Sequence, residues 1–177
     1  ISMRCAAASA ALLALAALCA PAAHAGPVLE RVKASGTVRV CIWPDYYGIT
    51  FRSPRTGQLG GMDIELSAEF AKGLGVKLQY VETSFAKLLD DVGAERCDVA
   101  MFAVGITPQR LPHLRFSQPY LKSDVYGVTT RANRAIRSWA DIDQPGVKLA
   151  VQAGTFMGPV MVAALEQCKQ HFKVGCI

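Results

Sequence analysis

The residues best placed to do chemistry stand in the stretch Gly105-Ile106-Thr107-Pro108-Gln109-Arg110. Thr107 suits an N-cap and Pro108 the first helical position, so a short helix is predicted here, ended by Pro112. Arg110 then falls in the first turn, where a cation opposes the helix dipole at a cost of a few tenths of a kcal/mol or more. An anion docked there reverses the balance, because free N–H groups, the dipole and a planar guanidinium all favour a carboxylate. The other reading of Arg110 is a surface residue paired with an acid such as Asp63 or Glu65, and the residues alone leave both open. Asp63 and Glu65 stand in the first turn of a second predicted helix, where acids complement the dipole, and are read as structural rather than as a catalytic pair. His24, His113 and His171 are scattered, and no P-loop, nucleophile elbow, zincin motif or Cys/His cluster of zinc spacing occurs. No catalytic residue, metal ligand or cofactor is expected.

The elements that must position these residues follow from periodicity. Thr37 to Ile42 alternates Val38, Val40 and Ile42 with Arg39 and Cys41, which predicts a strand. Trp43 to Gly48 is a predicted loop, and Phe51 to Gly61 a polar turn region. A helix follows from about Asp63, its end bracketed by Gly73 and Gly75. Val76 to Val81 is a second strand, and Thr83 or Ser84 can cap a helix carrying the apolar stripe Phe85, Leu88, Leu89 and Val92. Asp98 to Val104 is a continuous apolar run of the kind found in strands covered on both faces. Strand, helix, strand, helix, strand predicts an α/β fold with a parallel, doubly wound sheet. Further on, Val125 to Thr130 and Val147 to Gln152 read as strands, Ser138 to Ile142 as the start of a short helix, and Phe156 to Cys168 as a longer one. In such a sheet ligands bind beyond the carboxyl ends of the strands, which brings three loops to one crevice: Trp43 to Gly48, Ala103 to Arg110 and Ala153 to Phe156.

The first 25 residues read as a cleavable secretion signal: Arg4, an Ala/Leu run from Ala6 to Ala20, and Ala23-His24-Ala25 before the expected cut at Gly26. The apolar run is shorter than the roughly 20 residues that span a bilayer. Ile1 and Ser2 ahead of Met3 read as an upstream reading-frame artefact. Removing the segment takes Arg4 and no acid, so the formal charge falls by one from +5. The remaining bases are scattered, which leaves nucleic-acid binding without a patch or motif. Four cysteines lie beyond the signal: Cys41, Cys97, Cys168 and Cys176. If the strands carrying Cys41 and Cys97 are extended parallel neighbours, the two thiols lie roughly 10 Å or more apart. That exceeds the Cα limit of about 7 Å for a bridge, so free or buried thiols are expected at both.

Gly61-Met62-Asp63-Ile64-Glu65-Leu66, followed by Asp98 to Arg110 and then Phe116-Ser117-Gln118-Pro119-Tyr120, resembles the N-terminal lobe of the family 3 bacterial extracellular solute-binding proteins, the periplasmic receptors of ABC importers for amino acids and related solutes. The resemblance implies a periplasmic-binding-protein-like type II fold with two doubly wound lobes. Lobe 1 is expected over 26–124 and a partial lobe 2 over 125–177, with an incomplete second lobe and an atypical tail from Gln167 that reads as frameshifted or prematurely terminated. Exposed apolar surface is expected on Val147 to Val151 and Phe156 to Leu165. The resemblance also implies that Arg110 clamps a ligand carboxylate, that an aromatic ring from Tyr46 or Tyr47 meets the ligand, with only one of the two in contact, and that Thr155 is a second carboxylate contact. Ala103 and Gly105 stand where the family commonly has Ser or Thr, leaving their backbone N–H groups as donors. The implied function is periplasmic capture of an amino acid or related small carboxylate, by a monomer, for the membrane subunits of an ABC importer. The competing expectation is an enzyme on the same scaffold resembling the periplasmic cyclohexadienyl dehydratases, with a detached sensor module third.

Overall fold

The computed structural model of the chain describes residues 26–163. The expected signal segment, the end of the last helix at Cys168, the tail, Cys168 and Cys176 lie outside the described residues. Contacts divide the chain into two units, Ile1–Ser35 and Gly36–Ile177. The described part of the first is helix α1, Pro27–Ser35. Proline occupies its first position, where no intrahelical N–H is needed, with Glu30 in the first turn and Lys33 in the last, as the dipole favours.

The second unit is built on a parallel sheet. β1 (Thr37–Ile42) lies between β5 (Lys77–Glu82) and β6 (Val99–Ala100), in the order β5-β1-β6. β1 pairs with β5 from Thr37 opposite Lys77 to Ile42 opposite Glu82, and Val40 and Cys41 face Val99 and Ala100 of β6. Between β1 and β5 the chain adds a small antiparallel sheet of β2 (Asp45–Tyr46), β3 (Thr50–Arg52) and β4 (Leu59–Gly60). These short strands fall in stretches that the sequence reads as loop and turn.

Helix α2 (Met62–Leu74) then crosses back, and its end is set by Gly75 in the left-handed region (φ 69), whose N–H bonds the Lys72 carbonyl. Its start is set by Gly61 at φ 123, where an added Cβ would stand 2.5 Å from the Ile49 carbonyl oxygen. Helix α3 (Leu88–Gly93) is shorter than the apolar stripe suggests. Its first turn is preceded by a non-helical turn in which the Lys87 N–H donates to Ser84 Oγ at 3.3 Å. Thr83 instead donates its hydroxyl to buried Asp91, 2.5 Å away.

β6 is two residues long rather than running to Val104. The chain leaves the sheet because Ala103 adopts φ 50, a left-handed conformation incompatible with a continuing strand. The start of the strand is clamped by Asp98, whose carboxylate accepts the Arg39 N–H at 2.7 Å and its Nη2 at 2.7 Å. That bond holds the Arg39 guanidinium above its ordinary range.

The expectation of free thiols at Cys41 and Cys97 is wrong: the two form a disulfide, with Cα atoms 5.5 Å apart. The estimate of separation assumed that Cys97 already belongs to an extended strand. It precedes β6, in a turn that passes through Glu95 at φ 55, so the residue folds back over β1 instead of trailing away from it. The bridge lies in the core with Leu88 and Phe102, and Trp43, Phe85 and Val104 pack on that cluster.

Beyond Tyr120 regular structure is sparse. A 3-10 helix covers Trp139–Asp143, begun by a capping box between Ser138 and Asp141. The backbone N–H groups of Arg137 and Ser138, with the Ser138 hydroxyl, hold the Asp141 carboxyl below its usual range. A helix covers 157–163 of the described residues. Neither Val125 to Thr130 nor Val147 to Gln152 forms a strand, because neither run finds a neighbour to complete a ladder. Leu149 and Val151 are exposed, as expected for this stretch; of the second expected stretch Val162 is exposed, but Phe156 is half-buried and Met161 buried, against the expectation.

Candidate functional site

The carboxyl ends of β1, β5 and β6 point to one place. β1 delivers Trp43 and then Tyr46, the turn after β5 delivers Phe85, and β6 delivers Phe102 and the loop leading to Arg110. The four aromatic rings form a connected cluster. Phe85 stands 5.3 Å from Trp43, 5.9 Å from Tyr46 and 5.0 Å from Phe102, centroid to centroid, in tilted or edge-on arrangements. Phe102 is the buried floor, and the Cys41–Cys97 bridge belongs to the same core cluster. Tyr46 lines the cleft, whereas Tyr47 is 81 % exposed and packs on Phe51, so the structure separates the two tyrosines.

Arg110 lies against this cluster. Its guanidinium carbon stands 5.6 Å from the Phe85 centroid, within cation–π range. The residue is 5 % exposed, and Nη1 donates to the Gly105 carbonyl and Nη2 to the Gly154 carbonyl, both at 2.9 Å. Burial pulls the guanidinium below arginine's ordinary range. No acid among the described residues stands within ion-pair distance of it, so pairing with Asp63 or Glu65 is not what the fold provides. The expected short helix around Arg110 is a run of turns, in which the Arg110 N–H reaches the Thr107 carbonyl at 3.0 Å and Thr107 Oγ1 at 3.3 Å. Thr107 therefore fixes the backbone of Arg110 as a cap would.

Asp63 has a different task. It is fully buried, accepts the Ala103 N–H at 2.7 Å, and takes the Tyr120 hydroxyl at 2.9 and 2.7 Å on its two oxygens. One carboxylate thus joins the first turn of α2 to the left-handed turn after β6 and to Tyr120. Burial first, and the bond to Asp63 second, hold the Tyr120 phenol well above the usual tyrosine range. The Ala103 N–H is thus engaged by Asp63, while the residue itself stands on the wall of the cleft.

An open cleft of about 1390 Å³ runs past these loops, with Tyr46, Ala103, Gly105, Tyr120, Trp139 and Phe156 on its walls. Arg110 and Thr155 are not on those walls. Thr155 Oγ1 donates to the Gln152 carbonyl at 2.7 Å and accepts the Met157 N–H at 3.3 Å, the behaviour of a helix cap. The structure therefore brings Arg110, Tyr46, Ala103 and Gly105 together, with Gly154 rather than Thr155 as the direct neighbour of Arg110. Phe85 is the residue that sequence reasoning missed as part of the site. Its place in an apolar stripe hid it, although its position immediately after a strand end could have marked it.

A parallel α/β sheet with an arginine and an aromatic cluster beyond its strand ends defines a ligand-binding lobe of the type II periplasmic-binding-protein class. The chain belongs to the bacterial extracellular solute-binding proteins, family 3, whose model matches residues 38–171. It is similar to a cyclohexadienyl dehydratase from Pseudomonas aeruginosa, at 35 % identity over 71 % of this chain and 47 % of the relative. It is also similar to a probable amino-acid ABC transporter-binding protein from Haemophilus influenzae, at 31 % identity over 81 % of this chain and 55 % of the relative. Among solved structures, an ancestral amino acid-binding protein described as a precursor of cyclohexadienyl dehydratase superposes with a TM-score of 0.70 at 32 % identity, covering 78 % of this chain and 61 % of that one. The chain spans about half the length of the curated relatives it matches.

Proposed function

We propose that this chain forms the carboxylate-binding part of a periplasmic receptor that captures an amino acid or related small carboxylate for an ABC importer. The observation that carries the reading is Arg110: a buried cation beside an aromatic face, held by two neutral carbonyls rather than by an acid. A carboxylate arriving there exchanges one neutral acceptor for a charged one, and charge-assisted bonds to guanidinium are the stronger kind. Tyr46, on the cleft wall, offers a ring face to the rest of the solute, and Phe85 backs the guanidinium. Capture then proceeds by closure of a second lobe, the hinge running through the segment around Ser123 to Val128.

Titration calorimetry with a panel of amino acids tests this. A solute that binds stoichiometrically should lose about 2–5 kcal/mol of binding free energy on Arg110→Ala, with no rescue by Arg110→Lys, because lysine cannot reproduce a two-pronged contact. Unchanged affinity in the alanine variant defeats the assignment. A dehydratase reading is supported by the 35 % identity to a cyclohexadienyl dehydratase. It requires release of phenylpyruvate from prephenate, whereas a receptor binds without turnover.

A further inference from the structure

Arg110 is not waiting open. Its Nη2 is occupied by the carbonyl of Gly154, which lies 44 residues further along the chain. Two glycines make that approach possible. Gly154 sits at φ 74 against the turn before α3, where an added Cβ would come 2.5 Å from Ala86 N and 2.7 Å from the Phe85 carbonyl carbon. Gly105 leaves room for the Phe156 ring, whose Cδ1 would lie 3.3 Å from a Cβ built at 105. Gly105 is also the residue whose carbonyl takes the other guanidinium nitrogen. One short segment thus sets a backbone oxygen on the arginine and an aromatic ring on Gly105 beside it, and each needs a position without a side chain.

We propose that Gly154 to Phe156 is a built-in cap on Arg110: the Gly154 carbonyl stands in for a ligand oxygen, Phe156 seals the seat over Gly105, and a carboxylate ligand must displace both. Phe156 thereby governs which solutes reach the arginine, because a ligand binds only by offering more to Arg110 than the cap does. The inference rests on the reading of Arg110 as the carboxylate seat, but its test needs no solute.

Phenylglyoxal modifies accessible guanidinium groups, and peptide mass mapping reports the rate at each arginine. Arg39 and Arg96, held by Asp98 and Asp91, serve as internal controls for an intact fold. Gly154→Ala prevents seating through both its strained φ and its clash with Ala86, so modification of Arg110 should accelerate by about tenfold or more while the two controls keep their rates. Phe156→Ala removes the ring without touching the backbone and should accelerate Arg110 several-fold. If Gly154→Ala disrupts the fold, Arg39 and Arg96 accelerate as well, and Phe156→Ala alone decides. Arg110 reacting at the wild-type rate in a folded variant overturns the cap. Failure of every amino acid to bind, with the acceleration present, would instead overturn the proposed solute class and leave the cap standing.

Discussion

Removing one hydroxyl should test how the site is braced. In Tyr120→Phe the carboxylate of Asp63 loses the donor that lies 2.9 and 2.7 Å from its oxygens and keeps the Ala103 N–H at 2.7 Å. A hydrogen bond to a charged group contributes about 1.5–3 kcal/mol; Asp63 is fully buried but Tyr120 is 54 % exposed on the cleft wall, so the loss should fall in the lower half of that range. Asp63→Ala should cost more, because the Ala103 N–H loses its acceptor while that residue remains in a left-handed turn worth about 1–3 kcal/mol of strain. In a double-mutant cycle Tyr120→Phe and Asp63→Asn should couple by about 0.5–3 kcal/mol. Urea unfolding followed by the fluorescence of Trp43 and Trp139 measures all of these.

The alkaline limb supplies an independent check. Below about pH 10 tyrosine keeps its proton in the folded and the unfolded state alike, and the Tyr120 contribution is whole. As pH rises further the unfolded chain releases that proton while the folded phenol, held above its usual range, retains it. The unfolded state then binds fewer protons and stability falls with pH. Tyr120→Phe should lack this part of the slope. A phenylalanine variant within about 0.5 kcal/mol of wild type, with the same alkaline slope, would refute the brace.

The disulfide gives a second prediction: with a sequence separation of 56 between Cys41 and Cys97, loop closure accounts for about 4 kcal/mol, so reduction should lower the urea midpoint accordingly. Coincident midpoints, or alkylation of Cys41 in the unreduced unfolded protein, would disprove the bridge. Among glycines, Gly61→Ala should lose on the order of 2–4 kcal/mol through its φ and the Ile49 contact. Gly73→Ala, helical and with open space around it, should gain about 0.5–1 kcal/mol, and thermal denaturation separates the two.

β1, α2 and β5 were legible because each carries its own period and is ended by a local signal, such as Gly75 after α2. The meeting of the Tyr46, Gly105 and Gly154 loops was legible too, since it follows from parallel strands and the position of their carboxyl ends. What escaped depends on backbone turns that no glycine advertises. Glu95 and Ala103 take positive φ with ordinary side chains. The first brings Cys97 over Cys41; the second cuts β6 short and sends its Ala103 N–H to Asp63. The runs at 125–130 and 147–152 escaped for another reason. Apolar composition marks a segment that could pair, but a strand exists only where a neighbour completes its hydrogen bonds.

The bridge between Cys41 and Cys97 also ties folding to the redox state of the surroundings. In a thiol-rich medium the link is open, and about 4 kcal/mol is missing from a total that for ordinary domains is about 5–15. Oxidation closes the central strand onto the turn before β6. The two sulfurs become 0 % and 3 % exposed residues that a reductant reaches only when the core opens. The central strand is thus pliable while the pair is reduced and latched once it is oxidised.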